Sequence, residues 1–227
     1  MCYIRKLCCC CAFFYFQGIF AQERFTALWE PQIALNFEVA PNYSHNFSLA
    51  NRNYFYRGQG LEVRIRQIDL AHFSNLKIGY DQSLGLGLQY RFRESFENGA
   101  GNELRITQQL NITTGQENLR LGHRFRSEQR IRPSGTIHRF RYRFAIDSPL
   151  QGQKLNVGEM YAVATLESLF SVANGSRPEY EQRFESNLGW LIQPELKIEL
   201  GVEYRLEDYT AVTTHALFLN SGLIISL

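Results

Sequence analysis

The tetrapeptide His72-Phe73-Ser74-Asn75 sets an imidazole and a hydroxyl two residues apart. In an extended strand, residues i and i+2 share a face. His72 could then draw the proton from Ser74 and raise a nucleophile for acyl transfer. Ile68, Leu70, Leu76 and Ile78 flank the pair on that face, which would make its substrate a lipid. A third group must orient the imidazole. The 84–93 stretch offers no acid on its apolar face, so Asn51 or Asn53 on the preceding stretch are the available partners. The plainer reading is a His and a Ser in a strand near an interface, and that reading leads. No catalytic residue and no enzyme activity is expected, with a lipid acyl hydrolase built on His72, Ser74 and Asn51 as the alternative.

The second constellation is a ladder of arginines. Thr136–Ile146 reads T-I-H-R-F-R-Y-R-F-A-I. His138, Phe140, Tyr142, Phe144 and Ile146 fall on one strand face, and Arg139, Arg141 and Arg143 on the other. Arg105, Arg120, Arg124, Arg126, Arg183 and Arg205, with Glu181, Glu185, Glu199 and Glu203, repeat the charged face elsewhere. An unpaired buried charge is costly and the planar guanidinium pairs well with carboxylate. The ladder therefore reads as the packed interior of a barrel, or as a narrow passage or cavity preferring anions. His45, His72, His123, His138 and His215 are scattered, so no metal site is expected, and no cofactor. Gly85-x-Gly87 precedes no helix, which speaks for sheet packing rather than a nucleotide loop.

The elements that must position these groups are strands. Period 2 recurs along the chain while the helical period hardly appears. Ile33 to Val39, Leu84 to Phe92, Leu104 to Ile112, Tyr180 to Trp190 and Leu196 to Tyr204 all alternate apolar with polar residues, and 61–80 is long and less regular. The fold expected is all-β: an antiparallel transmembrane β-barrel of 10–12 strands with a lipid-facing apolar exterior and an Arg/Glu-rich interior. About eleven segments can be counted. Bacterial single-chain barrels favour even numbers, which predicts ten or twelve strands and both termini at the periplasmic end. Asp81-Gln82-Ser83 and Gln193-Pro194-Glu195 read as tight turns, and Glu94–Asn102 and Ser168–Glu179 as long loops. Tyr54, Tyr90, Phe92, Trp190 and Tyr204 read as an aromatic girdle. A soluble secreted β-sandwich binding protein is the competing architecture.

Residues 1–21 have the layout of a signal peptide: Arg5 and Lys6, an apolar run from Cys8 to Phe16, and Ala21 before the cut. The single barrel domain is then 22–227. All five cysteines lie in the leader, so the processed chain carries no thiol into an oxidising compartment. Leu7-Cys8 lacks the small residues of a lipoprotein signal. Removing Arg5 and Lys6 takes the 24 basic residues to 22 against 22 acidic, and a neutral total argues against nucleic acid. The partners expected are outer-membrane lipids, lipopolysaccharide and the barrel-assembly machinery. No solute can be named.

Leu119–Ile131, Thr136–Leu150, Val157–Glu159, Tyr180–Arg183, Gly189-Trp190 and Gly201–Tyr209 resemble an outer-membrane β-barrel family of Gram-negative bacteria known only as a domain of unknown function (DUF 2490). The resemblance implies an outer-membrane location and a barrel, and no reaction or ligand. Separately, His72-Phe73-Ser74-Asn75 resembles the motif of outer-membrane phospholipase and lipid A deacylase barrels, with Leu76 standing where those carry a small residue.

Overall fold

The computed structural model describes residues 25–58, 60–116 and 118–227. The segment read as a signal peptide, with its cysteines, lies outside them. Eleven strands follow one another in these residues: β1 (Phe25–Ala40), β2 (Tyr43–Arg57), β3 (Gly60–Lys77), β4 (Gln82–Phe92), β5 (Glu103–Gln116), β6 (Leu119–Arg132), β7 (Gly135–Pro149), β8 (Met160–Ala173), β9 (Glu179–Gln193), β10 (Leu196–Glu207) and β11 (Thr214–Ser226). Each pairs antiparallel with the next, and β1 pairs with β11 to close a barrel. One sheet that closes on itself replaces the two packed sheets of a sandwich.

The strand count falls inside the expected range, but the even-number expectation is corrected. An up-and-down chain of eleven strands sends its first and last strands the same way. The seam is accordingly parallel, running from Phe25↔His215 to Asn36↔Ser226. Phe25 and Leu227 therefore lie at opposite ends of the barrel, not together. One end carries the connections 41–42, 78–81 and 194–195, the longer 150–159 and the C-terminus; we call it the turn end. The other, the loop end, carries 93–102, 133–134, 174–178 and 208–213. The long loop expected over Ser168–Glu179 is mostly strand. Ser168 and Phe170 point out while Leu169 and Ser171 are buried, and their small polar residues imitate loop composition.

The core is inverted relative to a soluble protein. Among the described residues, nine apolar side chains are buried against seventeen polar or charged ones. Phe140 is 50% exposed and Leu200 62%, whereas the Arg139 and Arg141 side chains are each 13% exposed. Alternation alone left open which face turned inward; closure puts the charged face inside.

Local irregularities adjust the phase. In the β2–β3 ladder, Arg52 pairs with Gln67 but Asn53 with Ile65. The extra residue, Arg66, is a bulge. It shifts the outward set from Leu61, Val63 and Ile65 to Ile68, Leu70 and His72, which is why 61–80 looks irregular as a sequence. Tyr54 is corrected from girdle to interior: it shares inward parity with Arg52 and is 4% exposed. Gly87 and Gly189 serve packing. A Cβ on Gly87 would stand 2.3 Å from the Phe73 ring, and one on Gly189 2.1 Å from the Tyr161 ring.

Candidate functional site

Among the described residues, two polar cavities of the lumen adjoin at mid-barrel. One, of about 670 Å³, runs from mid-barrel toward the turn end past Asn36, Asn75, Asn111 and Glu199. The other, of about 370 Å³, lies toward the loop end beside Arg66, Arg132, Glu179 and Thr214. Arg52, Arg91, Arg105, Arg141, Arg183 and Arg205 line both. These six form a waist, and their carboxylate partners interlock across neighbouring strands. Arg52 pairs with Glu30. Arg91 reaches Asp69 at 2.6 Å. Arg105 pairs with Glu103. Arg141 holds Glu128 at 2.8 Å and Glu167 at 2.6 Å. Arg183 holds Glu181 at 2.6 Å and Arg205 holds Glu203 at 2.6 Å.

Sequence reasoning found the arginines of this layer on β5 to β10, but missed Arg52, Arg91, Glu30, Asp69, Glu103, Glu128 and Glu167. Glu103 is the most heavily used. It is 2% exposed and is shared by Arg105, Arg132, Arg130 at 3.0 Å and Arg91 at 4.0 Å. Its place at the start of a strand, next to a loop, disguised it. Of the ladder residues named from the sequence, Arg120 stands apart at the rim. Its side chain is 60% exposed and pairs with Asp147 at 2.7 Å. Glu199 accepts a 2.5 Å bond from the Tyr161 hydroxyl. Arg139 bonds Ser171 at 2.8 Å and Glu181 lies 3.5 Å away.

The strand pairing β6–β7 sets Arg124 directly opposite Arg143 and Arg126 opposite Arg141. Like charges in directly opposed positions repel, so this block needs compensation. Arg141 has it in full. Arg143 has Glu185 at 3.3 Å, but its Nε is buried without a partner. Arg126 donates to the Gln109 carboxamide oxygen at 2.7 Å and lies 3.5 Å from Glu128. Arg124 donates to the Asn111 carboxamide oxygen at 2.7 Å, and among the described residues no carboxylate lies within ion-pair distance of it.

At the loop-end part of the seam the lumen holds an apolar cluster, while Glu30, Gln32, Asn36 and Asn220 line it farther along. Leu28, Tyr54, Ala216 and Phe218 cluster together, and the Arg205 and Arg52 guanidiniums stand 3.7 and 4.8 Å from the centre of the Phe218 ring. The Tyr54 hydroxyl donates to Glu97 at 2.7 Å, and Arg93 holds the same carboxylate at 2.6 Å. The Tyr54 bond thereby ties loop 93–102 to the inner face of β2.

On the outer surface, near the turn end, Ser74 and His72 are joined by a residue that the sequence reading did not use. His45 Nδ1 lies 3.3 Å from Ser74 Oγ and 2.9 Å from His72 Nε2, and the Tyr43 hydroxyl donates to Ser74 at 3.2 Å. One imidazole nitrogen thus faces both groups. It can accept one proton, so His72 competes with Ser74 for His45 instead of orienting it. Ser74 is paired on both flanks, opposite His45 and Leu86, which commits the surrounding backbone amides to the ladder. Asn51 is not brought to this cluster. It pairs with Ile68, four residues from His72 and so about 13 Å along the strand, and its Oδ1 is buried without a partner. His123 and His138 are also kept apart: His123 faces Phe144 and His138 faces Gln129. Among the described residues, no group of three or more His, Cys, Asp or Glu is arranged to hold a metal ion.

A comparison with curated proteins finds no match. A family model described as a protein of unknown function (DUF2490) matches residues 27–215, and with most of its length covered the chain belongs to that family.

Proposed function

We propose that the processed chain, exported by its N-terminal signal, is an outer-membrane barrel of a Gram-negative bacterium, with a lumen shut at its waist. It acts as a structural barrel with a vestibule at each end, without enzyme activity. The apolar exterior supports membrane residence. Side chains such as Phe140, Leu200 and Trp190 cover the outside, and water would not tolerate so continuous an apolar skin, whereas acyl chains and the lipid part of lipopolysaccharide would. The turn end, with the C-terminus, is the periplasmic end on this reading, and the assembly machinery would insert it.

The observation that carries the closed lumen is the set of six arginines lining both cavities, each tied to a carboxylate. The test is conductance of purified protein in a planar bilayer. The parent should be silent at every voltage, and steady parent conductance would overturn the reading. A second reading, a narrow anion-preferring pore, is favoured by the arginine block beside the waist. It requires the parent to conduct and Arg141→Ala to reduce its anion preference. A lipid acyl hydrolase would need Ser74. Acyl release from phospholipid by the parent, abolished in Ser74→Ala, would reinstate it.

A further inference from the structure

We propose that the turn-end cavity is a binding site for a phosphate group, free or carried as a phosphomonoester, held by Arg124, Arg126 and Arg143. The proposal deepens the vestibule reading and rests on it, since the cavity must open to water at that end. Three observations converge. First, register forces the arginines of β6 and β7 into direct opposition, a repulsive arrangement that a strand pair does not need for closure. Second, the carboxylates nearby are already engaged. Glu167 is held by Arg141, and Glu185 is shared by Arg143, Thr165 and Asn187. Arg124 and Arg126 make their hydrogen bonds to neutral carboxamides; these fix both guanidiniums, and only Arg126 also has a carboxylate within ion-pair distance, Glu128 at 3.5 Å. Third, Arg143 Nε is a buried donor without a partner.

Nine arginines line this cavity; eight of them have a carboxylate within ion-pair distance, three of these from Glu103, Glu128 or Glu181 just beyond the lining, and Arg124 is the one that has none among the described residues. An oxyanion with several acceptors is what pre-oriented guanidinium forks bind best. Carboxamides of Asn46, Asn75 and Asn187, from other strands that line the same cavity, both donate and accept. That chemistry suits the hydroxyls of a group esterified to the phosphate.

The test is calorimetric titration of the full barrel in non-ionic detergent, using inorganic phosphate and, separately, glucose 6-phosphate as probes. Saturable binding of phosphate is expected. Arg124→Gln should weaken it by about tenfold or more, the loss of one charge-assisted contact. Arg120→Gln, at the exposed rim, should leave it unchanged. Heat-modifiable gel migration checks that each variant folds. Should Arg124→Gln fail to fold, Arg124→Lys keeps the charge, removes the fork, and should still weaken binding severalfold. Tighter binding of the sugar phosphate would assign the site to phosphomonoesters, and equal or weaker binding to free phosphate. No saturable phosphate binding by the parent, or unchanged affinity in the folded Arg124 variant, overturns the site. Conductance by the parent would overturn the closed waist and leave the calorimetric result standing.

Discussion

The seam where β1 meets β11 and the wall of β5, β6 and β7 fill the same lumen with different chemistry. In the closed strand order β6 lies five strands from β1 by one route and five from β11 by the other. At the seam, Phe218 is 1% exposed and Leu28 0%, and burial of apolar surface does the packing. Across the barrel, Glu103 is nearly as deeply buried but sits among guanidiniums. Closing a parallel edge sets the first and last strands side by side with no hairpin to hold them in register. A non-directional apolar cluster tolerates small shifts there. The hairpin-connected wall is already held in register, and it can carry directional ion pairs.

The sharpest way to break the contrast is Glu103→Gln. It strands Arg105, Arg130 and Arg132 around a neutral amide, while Arg91 keeps Asp69, and should cost roughly 3–5 kcal/mol, read as a fall in the urea midpoint of the detergent-solubilised barrel. A midpoint within error of the parent would mean that the guanidiniums are hydrated and the wall is not packed by charge. Phe218→Leu keeps the seam apolar but removes the ring under Arg205. An expected loss of about 1–3 kcal/mol combines shape change with the cation–π contact. Because Glu103 and Phe218 share no partner, the double variant should be additive within about 0.5 kcal/mol, and clear coupling would show that the two walls pack as one. Lys77→Ala removes an ion pair with Glu38 at 3.7 Å, with both side chains more than half exposed. It should change stability by under about 1 kcal/mol, and less still in high salt.

Loop 93–102 offers a pH test outside the strands. Burial pushes the Glu97 carboxyl up, but the hydrogen bonds from Tyr54 and Arg93 and the charges of Arg93 and Arg66 outweigh it and hold the group below its ordinary value. A carboxyl depressed in the folded state contributes stability above its unfolded value, about 4.3, and loses it as pH falls through the folded one. Hydrogen exchange in 93–102 should therefore stay protected down to the usual carboxylate range and open below it. Glu97→Gln should show weak protection at every pH. Equal pH dependence in the two proteins would detach the loop from Glu97.

Much of this architecture is written in the period of the side chains. The outward run from His138 to Ile146 and the inward run Arg139, Arg141, Arg143 need only the alternation of an extended chain. The approximate segment count was equally legible. Strand ends were less so. Ser168–Ala173 looked like loop, and Glu103 was not recognised, because short polar residues and isolated acids carry no period of their own. The Arg66 bulge hid the phase of β3 in the same way.

Sequence alone thus determined that one face of each strand is apolar and the other charged, because that depends on neighbours two residues apart. Three things were decided only by how strands pair: the parallel seam by closure of the sheet, and the pairing of Arg124 with Arg143 and the meeting of His45 with Ser74 by the register of their hairpins. Each depends on which strands become neighbours and in what register. Register is set by turns, bulges and the number of strands around the ring, none of which is carried by the side-chain period of one strand.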